Sequence, residues 1–332
     1  MPEQNKVLIS LPTTFEQYLT STITILEESG FPVTACWNDA GLPKPELLKL
    51  VADKVGFIVG LDIVDEEVIA AGKRLKVLSK HGIGTDNINI RAATKHGVVV
   101  CNTPGSNSTA VADLTLGLMI CLARKIIAAD ATVRQSQLLP YIGPEFAEKT
   151  LGIIGLGNIG KKVALRAKSF GMRVIANDIK PDLEFAKKHE IDWVTKKELY
   201  AQSDFITVHT PLTPETFGMI GEKEMSLMKP ECYLINSARG GIIDEAALAR
   251  ALNAGKLAGA GIDVFSIEPP PPDYVLFKAQ NVIFSTHMGG SAPEAIQRAG
   301  ELAALNIMNI IKGKPPVNAL NPETLERLKI KL

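Results

Sequence analysis

The sequence predicts an α/β protein made of two Rossmann-like or flavodoxin-like doubly wound parallel-sheet domains, and three observations favour this fold class. The chain has 332 residues, more than one ordinary hydrophobic core holds. Hydrophobic residues make up 46% of it and charged residues 22%, which is typical of globular proteins. Short β-branched runs alternate with amphipathic segments throughout, and parallel strands need such long connections between them.

The predicted strands fall into two series. The first occupies residues 7–10, 33–35, 57–59, 77–79 and 98–101. The second occupies residues 151–154, 173–176, 192–194, 205–209, 233–236, 259–264 and 282–285. Helix-like segments separate the strands and no short repeat is visible, so the pattern indicates two α/β units in tandem rather than a solenoid.

Two long helices are predicted at residues 108–125 and 293–312, because their apolar positions recur at intervals of three and four and their interiors lack proline. The first helix lies between the two series of strands, and the second follows the last strand. If the second helix returns to the first unit, that domain is discontinuous, but periodicity alone leaves this open. Residues 135–148 are predicted to form an irregular surface excursion, and the four prolines at 269–272 a rigid loop.

Charge and hydropathy argue against several classes of protein. Lys plus Arg and Asp plus Glu number 36 each, so no net field attracts nucleic acid or an anionic membrane. The apolar stretch at residues 110–123 contains Asp113 and Thr115 and is too short to cross a bilayer. The first residues lack the pattern of a signal peptide. We therefore expect neither nucleic acid nor a membrane as partner.

Cysteine usage indicates a reducing compartment. The four cysteines are widely separated and show no metal-binding spacing, so we expect neither a disulfide framework nor a metal site, and a cytoplasmic location. They are Cys36, Cys101, Cys121 and Cys232.

A glycine-rich motif follows the first strand of the second series. Gly155, Gly157 and Gly160 have G-x-G-x-x-G spacing between a predicted strand and a predicted helix. In this context the glycines allow a tight turn, the approach of backbone to a pyrophosphate, and close packing of helix on strand. The helix N-terminus offers unpaired N–H groups to the phosphates. The alternative is an ordinary glycine turn.

Asp178 ends the next strand, 18 residues beyond Gly160. A carboxylate at this position accepts hydrogen bonds from the adenosine ribose and repels a 2′-phosphate, which favours NAD over NADP. Lys180 is close enough in sequence to weaken that repulsion, so the degree of preference stays open.

Three polar residues follow later strands of the second series: Arg239, Glu268 and His287. In open α/β sheets ligands bind beyond the carboxyl ends of the strands. Histidine, with a pKa of ~6.5, suits both directions of proton transfer between an alcohol and a ketone. A carboxylate stabilises its cation, and an arginine holds a substrate carboxylate by a two-point contact.

Each of these residues also has an ordinary structural interpretation. A histidine after a strand is often a hydrogen-bonded structural residue, and Arg239 with Glu268 is also typical of a surface ion pair. The occurrence of all three at strand ends favours the catalytic interpretation. The residues predict hydride transfer between nicotinamide and the C2 carbon of a small 2-hydroxy or 2-oxo acid.

With these motifs the chain resembles the D-isomer-specific 2-hydroxyacid dehydrogenases, in particular the phosphoglycerate dehydrogenase-like members. The similarity extends over nearly the whole chain, through residues 80–88, 102–105, 155–160, 209–212, 236–240, 263–269 and 287–290. It implies a substrate-binding domain formed by residues 1–101 and 291–332 around a nucleotide-binding domain at 102–290. It also implies the roles given above to Arg239, Glu268 and His287.

The resemblance implies further site residues. The backbone N–H groups of Ile83 and Gly84 would help to hold the substrate carboxylate, and Thr210 and Pro211 would line the nucleotide. Asp263 would contact the nicotinamide amide, and residues 110–151 would form a homodimer contact. The full set assigned to the NAD site is Gly155, Gly157, Asn158, Ile159, Gly160, Asp178, His209, Thr210, Pro211, Ala238, Asp263 and Gly289.

Two features bear on the choice of substrate. Gly60 stands where phosphoglycerate-specific relatives tend to carry arginine, which disfavours tight phosphate recognition. Lys80 and His81 keep a basic edge beside the expected carboxylate site. We therefore expect a small substrate with a second polar or anionic group. D-3-phosphoglycerate dehydrogenase and an NAD(H)-sensing protein similar to transcriptional corepressors are the alternatives.

Overall fold

The structure is a computed structural model that describes residues 5–330, and in it the chain divides into two compact units. Unit 1 runs to Asn107 and resumes at Gly290, whereas unit 2 spans Ser108–Gly289. Each unit contains its own parallel sheet. The predicted class of two doubly wound parallel-sheet domains is confirmed.

Unit 1 begins with a five-stranded sheet in which every pairing is parallel. Its elements are β1 (Val7–Leu11), α1 (Thr20–Glu28), β2 (Val33–Trp37), α2 (Lys44–Val51), β3 (Gly56–Val59), α3 (Glu66–Ala71), β4 (Val77–Lys80), α4 (Ile90–Lys95) and β5 (Val99–Cys101). The order β2-β1-β3-β4-β5 is that of flavodoxin-like folds. All five strands lie where the sequence predicts them.

Unit 2 carries a seven-stranded sheet, also parallel throughout. Its helices α5 (Ser108–Ala123) and α6 (Ile126–Val133) come first. They are followed by β6 (Thr150–Ile154), α7 (Asn158–Ser169), β7 (Arg173–Asn177), α8 (Leu183–Lys188), β8 (Asp192–Trp193), α9 (Lys196–Gln202), β9 (Phe205–Val208), α10 (Glu222–Met225), β10 (Tyr233–Asn236), α11 (Glu245–Asn253), β11 (Gly259–Ile262) and β12 (Val282–Phe284).

The strand order of unit 2 is β12-β11-β10-β9-β6-β7-β8. This is the Rossmann order with one additional strand at the edge. The order reverses between β6 and β9, and such a switch point is where a crevice forms at the carboxyl ends of the strands. Apolar side chains of α5 bury themselves against α7 and the β10–β12 side of the sheet, as the predicted buried helix requires.

After β12 the chain returns to unit 1 through α12 (Pro293–Ile311) and α13 (Glu323–Arg327). Helix α12 packs on α1 and on the strands β3 and β4. The contact is so close that a Cβ at Gly56 would lie 2.7 Å from Cγ2 of Ile307. Asn321 then accepts a hydrogen bond from Val100 N–H at 2.8 Å and donates to the Val98 carbonyl at 2.9 Å. The chain therefore does return to unit 1 after β12, which periodicity alone left open.

The boundary between the units differs from the expected one. Residues 102–107 and Gly290, which the resemblance places in the nucleotide-binding domain, group with unit 1. The reason is local hydrogen bonding: Asn102 Nδ2 donates to the Ile83 carbonyl at 2.8 Å, and Thr103 N–H donates to the Gly82 carbonyl at 3.0 Å.

Two negative findings concern residues 5–330. No helix among them is long and apolar enough to cross a membrane. In the same part of the chain no three His, Cys, Asp or Glu side chains gather in a way that would hold a metal ion.

The close packing of α12 on β3 predicts the outcome of a double-mutant cycle. Gly56→Ala should lower the free energy of unfolding by about 1–3 kcal/mol through overpacking. Ile307→Ala should lower it by about 2–5 kcal/mol through a cavity. In the double variant the new methyl group enters that cavity, so the combined loss should be smaller than the sum. Denaturant unfolding of the three variants measures this, and strictly additive losses would contradict the described contact.

Candidate active site

The turn after β6 has a geometry that requires glycine. Gly155 has φ +94°, in the region that disfavours residues with a side chain, and a Cβ there would lie 2.7 Å from the His209 carbonyl oxygen. A Cβ at Gly160 would lie 2.1 Å from the Gly155 carbonyl oxygen. Nothing lies within 4 Å of a Cβ built on Gly157, so its surroundings are open. The turn is therefore tight where it packs and accessible where a pyrophosphate would approach.

The first turn of α7 leaves N–H groups available at this position. Lys161 N–H makes the first bond of the helix, to the Gly157 carbonyl at 2.9 Å. The N–H groups of Asn158, Ile159 and Gly160 precede it and have no acceptor within the helix. Together with the helix dipole they favour an anionic ligand, as the diphosphate of a dinucleotide would be.

Asp178, at the end of β7, is connected to the glycine turn. Its Oδ2 accepts a hydrogen bond from Leu156 N–H at 2.7 Å, and its Oδ1 accepts one from Lys180 N–H at 2.9 Å. Each carboxylate oxygen has a second lone pair, which suits the hydroxyl groups of a ribose. The carboxylate therefore stabilises the turn and remains able to accept from a ligand.

His209 and Thr210 follow β9, on the other side of the switch point. Both ring nitrogens of His209 and Oγ1 of Thr210 are buried without a hydrogen-bond partner among the described residues. Burial lowers the pKa of His209 to about 3, so the ring is neutral near pH 7. Unpartnered buried polar atoms beside a glycine turn fit a site that is completed by a polar ligand. Pro211 lies next in the chain, and its carbonyl accepts from Thr216 Oγ1 at 2.7 Å.

Arg239 is held in the turn after β10. Asn236 accepts from Ala238 N–H at 3.0 Å and donates from Nδ2 to the Arg239 carbonyl at 2.8 Å. Arg239 Nη1 donates to the Ala238 carbonyl at 2.7 Å. The guanidinium also acts on Glu268, because its charge helps to lower the pKa of that carboxyl. Arg239 and Glu268 are thus close enough for their charges to interact.

Glu268 and His287 form the expected pair. His287 Nδ1 donates to Glu268 Oε2 at 2.7 Å, and Glu268 Oε1 accepts from Phe265 N–H at 3.0 Å. Partial burial raises the pKa of Glu268, but the hydrogen bonds from His287 and Phe265 and the charge of Arg239 outweigh it, so the pKa lies below its usual value. Because Nδ1 is the donor, the neutral ring carries its lone pair on Nε2, the tautomer required of a general base. The side chains of His287 and Glu268 are 45% and 39% exposed, so the pair is open to solvent.

Asp263 holds the turn that contains His287. His287 has φ +53°, an uncommon conformation for a residue with a side chain. Buried Asp263 accepts from Ser285 Oγ at 2.7 Å, from Met288 N–H at 2.9 Å and from Gly289 N–H at 3.0 Å. The contact of Asp263 with the nicotinamide amide stays a prediction. Its role in fixing the histidine turn is one that sequence reasoning missed.

In unit 1 the turn after β4 presents two adjacent amides. Gly82, with φ +124°, donates its N–H to Thr103 Oγ1 at 2.9 Å. Among the described residues nothing accepts a hydrogen bond from the N–H of Ile83 or Gly84. Two neighbouring free N–H groups are suited to an anion such as a carboxylate. Asn102 and Thr103, which bond to this turn, belong to the sequence motif at 102–105, but their residue types alone do not indicate this contact.

Lys80 and His81, on the turn after β4, both make hydrogen bonds to the protein itself. Lys80 Nζ donates to the Gly60 carbonyl and to Asn87 Oδ1. His81 Nε2 donates to the Ile296 carbonyl at 2.9 Å, and burial, with the charge of Lys80, lowers the pKa of His81 to about 4. Both side chains thus have partners within unit 1. Their assignment to the substrate, and the preference for a second polar group on the substrate that rests on it, stay predictions.

Gly60 lies where the strand order of unit 1 reverses, between β1 and β3. A Cβ on Gly60 would lie 2.5 Å from the Ser10 carbonyl oxygen. Asp62 accepts from Ser10 Oγ at 2.8 Å and from Leu42 N–H at 2.9 Å. The backbone here thus approaches β1 too closely for any side chain, an arginine included.

Comparison with known proteins agrees with this geometry. A family model described as "D-isomer specific 2-hydroxyacid dehydrogenase, NAD binding domain" matches residues 116–289. A D-3-phosphoglycerate dehydrogenase from Archaeoglobus fulgidus is 40% identical over 97% of this chain and 60% of its own length. A glyoxylate reductase from Thermococcus litoralis is 41% identical over 87% of this chain and 90% of its own length.

Solved structures agree as well. The apo-structure of D-lactate dehydrogenase from Escherichia coli superposes with a TM-score of 0.85 and 27% identity, covering 95% of this chain and 99% of that one.

The chain spans 60% of the length of the Archaeoglobus protein. The family model matches more than half of the chain, which therefore belongs to the D-isomer-specific 2-hydroxyacid dehydrogenases.

Proposed function

We propose that this protein is an NAD-dependent oxidoreductase that interconverts a small 2-hydroxy acid and its 2-oxo acid. The observation that carries the proposal is the bond of 2.7 Å between Glu268 and His287, on turns at the carboxyl ends of strands in a sheet that belongs to an NAD-binding family. The glycine turn, Asp178 and the unpartnered atoms of His209 support NAD as the cofactor.

In this proposal His287 exchanges the proton. On oxidation the hydroxyl proton of the substrate passes to Nε2 of His287 as the hydrogen on C2 leaves as hydride, and on reduction both steps reverse. NAD+, when bound, supplies the acceptor for that hydride. Glu268 holds the ring by Nδ1 and stabilises the imidazolium that forms. The low pKa of Glu268 keeps it ionised for this role.

The substrate carboxylate needs cationic or N–H partners. We assign Arg239 to it and to polarisation of the 2-oxo group, because a guanidinium binds carboxylates by paired hydrogen bonds. We assign the N–H groups of Ile83 and Gly84 to it as well, on the strength of the two free amides. Ala238 and Gly289 remain assigned to the cofactor as predictions from sequence.

A small substrate is favoured over phosphoglycerate. Gly60 has no room for a side chain, and Lys80 is already bonded to the protein. Neither position offers the free cation that a phosphate requires. The similarity to a glyoxylate reductase over most of both chains supports glyoxylate or a comparably small 2-oxo acid.

We further propose a cytoplasmic homodimer. The cysteines are all free thiols, which agrees with a reducing compartment. Helix α6 has no buried residue although it is largely apolar. With the segment after it, it exposes Ile126, Ile127, Val133, Leu138, Leu139 and Ile142. An apolar surface of this kind is typical of a protein interface.

The first test of function is turnover. Wild-type protein should oxidise NADH with glyoxylate or hydroxypyruvate faster than with 3-phosphohydroxypyruvate, as measured by NADH absorbance. His287→Gln should bind NADH normally but turn over roughly a hundredfold or more slowly, the usual scale for a proton-transfer group. His189→Gln, on α8's C-terminal side, is the matched control and should remain active. NADH binding without turnover of any 2-oxo acid would indicate a sensor instead.

The second prediction concerns cofactor choice. Asp178→Ala removes the acceptor for the Leu156 N–H, which loosens the turn for both cofactors, and it removes the charge that repels a 2′-phosphate. The ratio of kcat/KM for NADH over NADPH should therefore fall. Asp192→Ala, in the exposed ion pair with Arg173, should leave the ratio unchanged. A wild type that already prefers NADPH would show that Lys180 dominates at this strand end.

The third prediction concerns assembly. Sedimentation at micromolar concentration should show a dimer, and Ile142→Lys should weaken it because a charge is desolvated in an apolar contact. Ile142 is 89% exposed in the single chain, and the control Ile179→Lys alters a residue that is 91% exposed elsewhere. A monomeric wild type, or equal effects of the two variants, would refute the proposed surface.

A further inference from the structure

A short relay of asparagine side chains leads from the C-terminal segment to the turn after β4. Asn318 Nδ2 donates to Asn102 Oδ1 at 2.7 Å, and Asn102 Nδ2 donates to the Ile83 carbonyl at 2.8 Å. Asn102 is 6% exposed, so neither of its amide atoms can turn freely to water.

The direction of this relay is fixed by its last member. The Ile83 carbonyl can only accept, so Asn102 must present its NH2 group to it. The carbonyl oxygen of the Asn102 side chain then faces Asn318, which must donate in turn. A side chain at 318 that cannot donate would leave the Asn102 oxygen without its partner.

The bond to the Ile83 carbonyl also aims a neighbouring N–H. The carbonyl of Ile83 and the N–H of Gly84 belong to one peptide unit, and in a planar trans peptide they point in opposite directions. Asn102 therefore turns the Gly84 N–H away from itself. In the same way, the bonds from Thr103 to the Gly82 carbonyl, at 3.0 and 3.1 Å, set the direction of the Ile83 N–H.

We propose that Asn318 is a positioning residue for substrate binding: through Asn102 it holds the peptide that directs the Gly84 N–H at the substrate carboxylate. This rests on the proposed function, since it assumes that the turn binds a 2-oxo acid. Asn318 acts only through Asn102 and contacts no reacting group.

The backbone around Asn318 is held independently of its side chain. Val317 N–H donates to Asn306 Oδ1 at 2.8 Å, and Ala319 forms an antiparallel bridge with Cys101. Asn306 Nδ2 also donates to the Asn102 backbone carbonyl at 3.1 Å. A substitution at 318 therefore changes the relay while the segment stays in place.

The test is Asn318→Asp, which keeps the shape and removes the donor. The KM for glyoxylate should rise about tenfold, equivalent to about 1.4 kcal/mol, while kcat and the Kd for NADH stay near the wild-type values. The Kd for oxalate, a non-reacting analogue measured by calorimetry with NADH present, should rise by a similar factor. Asn309→Asp is the control, because Asn309 Nδ2 donates to the Pro315 carbonyl in the same segment but outside the relay.

Lowering the pH gives a readout that a general loss of structure does not produce. Once protonated, the introduced carboxyl can donate to Asn102 again. An aspartate has an ordinary pKa of about 3.9, and the facing Asn102 oxygen disfavours its charged form, so the ratio of variant to wild-type KM should fall towards the acidic end as the pH is lowered from 7.5 to 4.5. Asn318→Ala, which also lacks a donor, should raise KM without this pH dependence. It replaces the aspartate variant as the test if that variant does not fold.

Several outcomes would overturn the inference. If Asn318→Asp keeps the wild-type KM and oxalate affinity, the inference is wrong while the proposed function stands. The same holds if kcat and NADH binding fall in parallel with substrate binding, because that result indicates a structural role. A wild type that neither turns over 2-oxo acids nor binds oxalate would overturn the proposed function and this inference with it.

Discussion

Parallel pairing of the strands is the constraint on which the rest of the structure depends. Because all strands of a sheet run the same way, every loop that follows a strand emerges at the same edge. In unit 2 this edge carries the glycine turn after β6 and His209 after β9. Arg239, Asp263 and His287 follow β10, β11 and β12 there. Residues that lie more than 130 positions apart in the chain thus share one edge of the sheet, and the strand order alone brings them there.

Parallel pairing brings the loops to one edge but does not fix their conformations, and polar side chains at strand ends do so. Asp178 accepts from the N–H of Leu156 in the glycine turn, Asp263 accepts from Met288 and Gly289 beside the histidine, and Asn236 bonds on both sides of Arg239. A hydrogen bond to an ionised acceptor is worth about 1.5–3 kcal/mol. A few such bonds are enough to hold His287 at a positive φ.

The sequence predicts those features that depend on local pattern. The strands, the two long helices and the glycine motif follow from periodicity and from glycine spacing. His287 and Glu268 stand out because their types match the chemistry. What it does not predict are contacts between distant segments: the partners of Lys80 and His81, the attachment of residues 102–107 to unit 1, and the asparagine relay. Lys80 meets Gly60 and Asn87 only because β3 and β4 are neighbours, and nothing in the residue types indicates that.

The contacts of Lys80 bear on what unit 1 offers to an anionic ligand. A lysine bonded to a backbone carbonyl and an amide has little capacity left for a substrate anion, and Gly60 admits no arginine beside it. The proposed function therefore assigns the substrate carboxylate, in unit 1, to the amides of Ile83 and Gly84. The exposed neighbours of Gly60, Leu61 and Ile63, are apolar. The proposal of a small substrate rather than a phosphorylated one agrees with these residues.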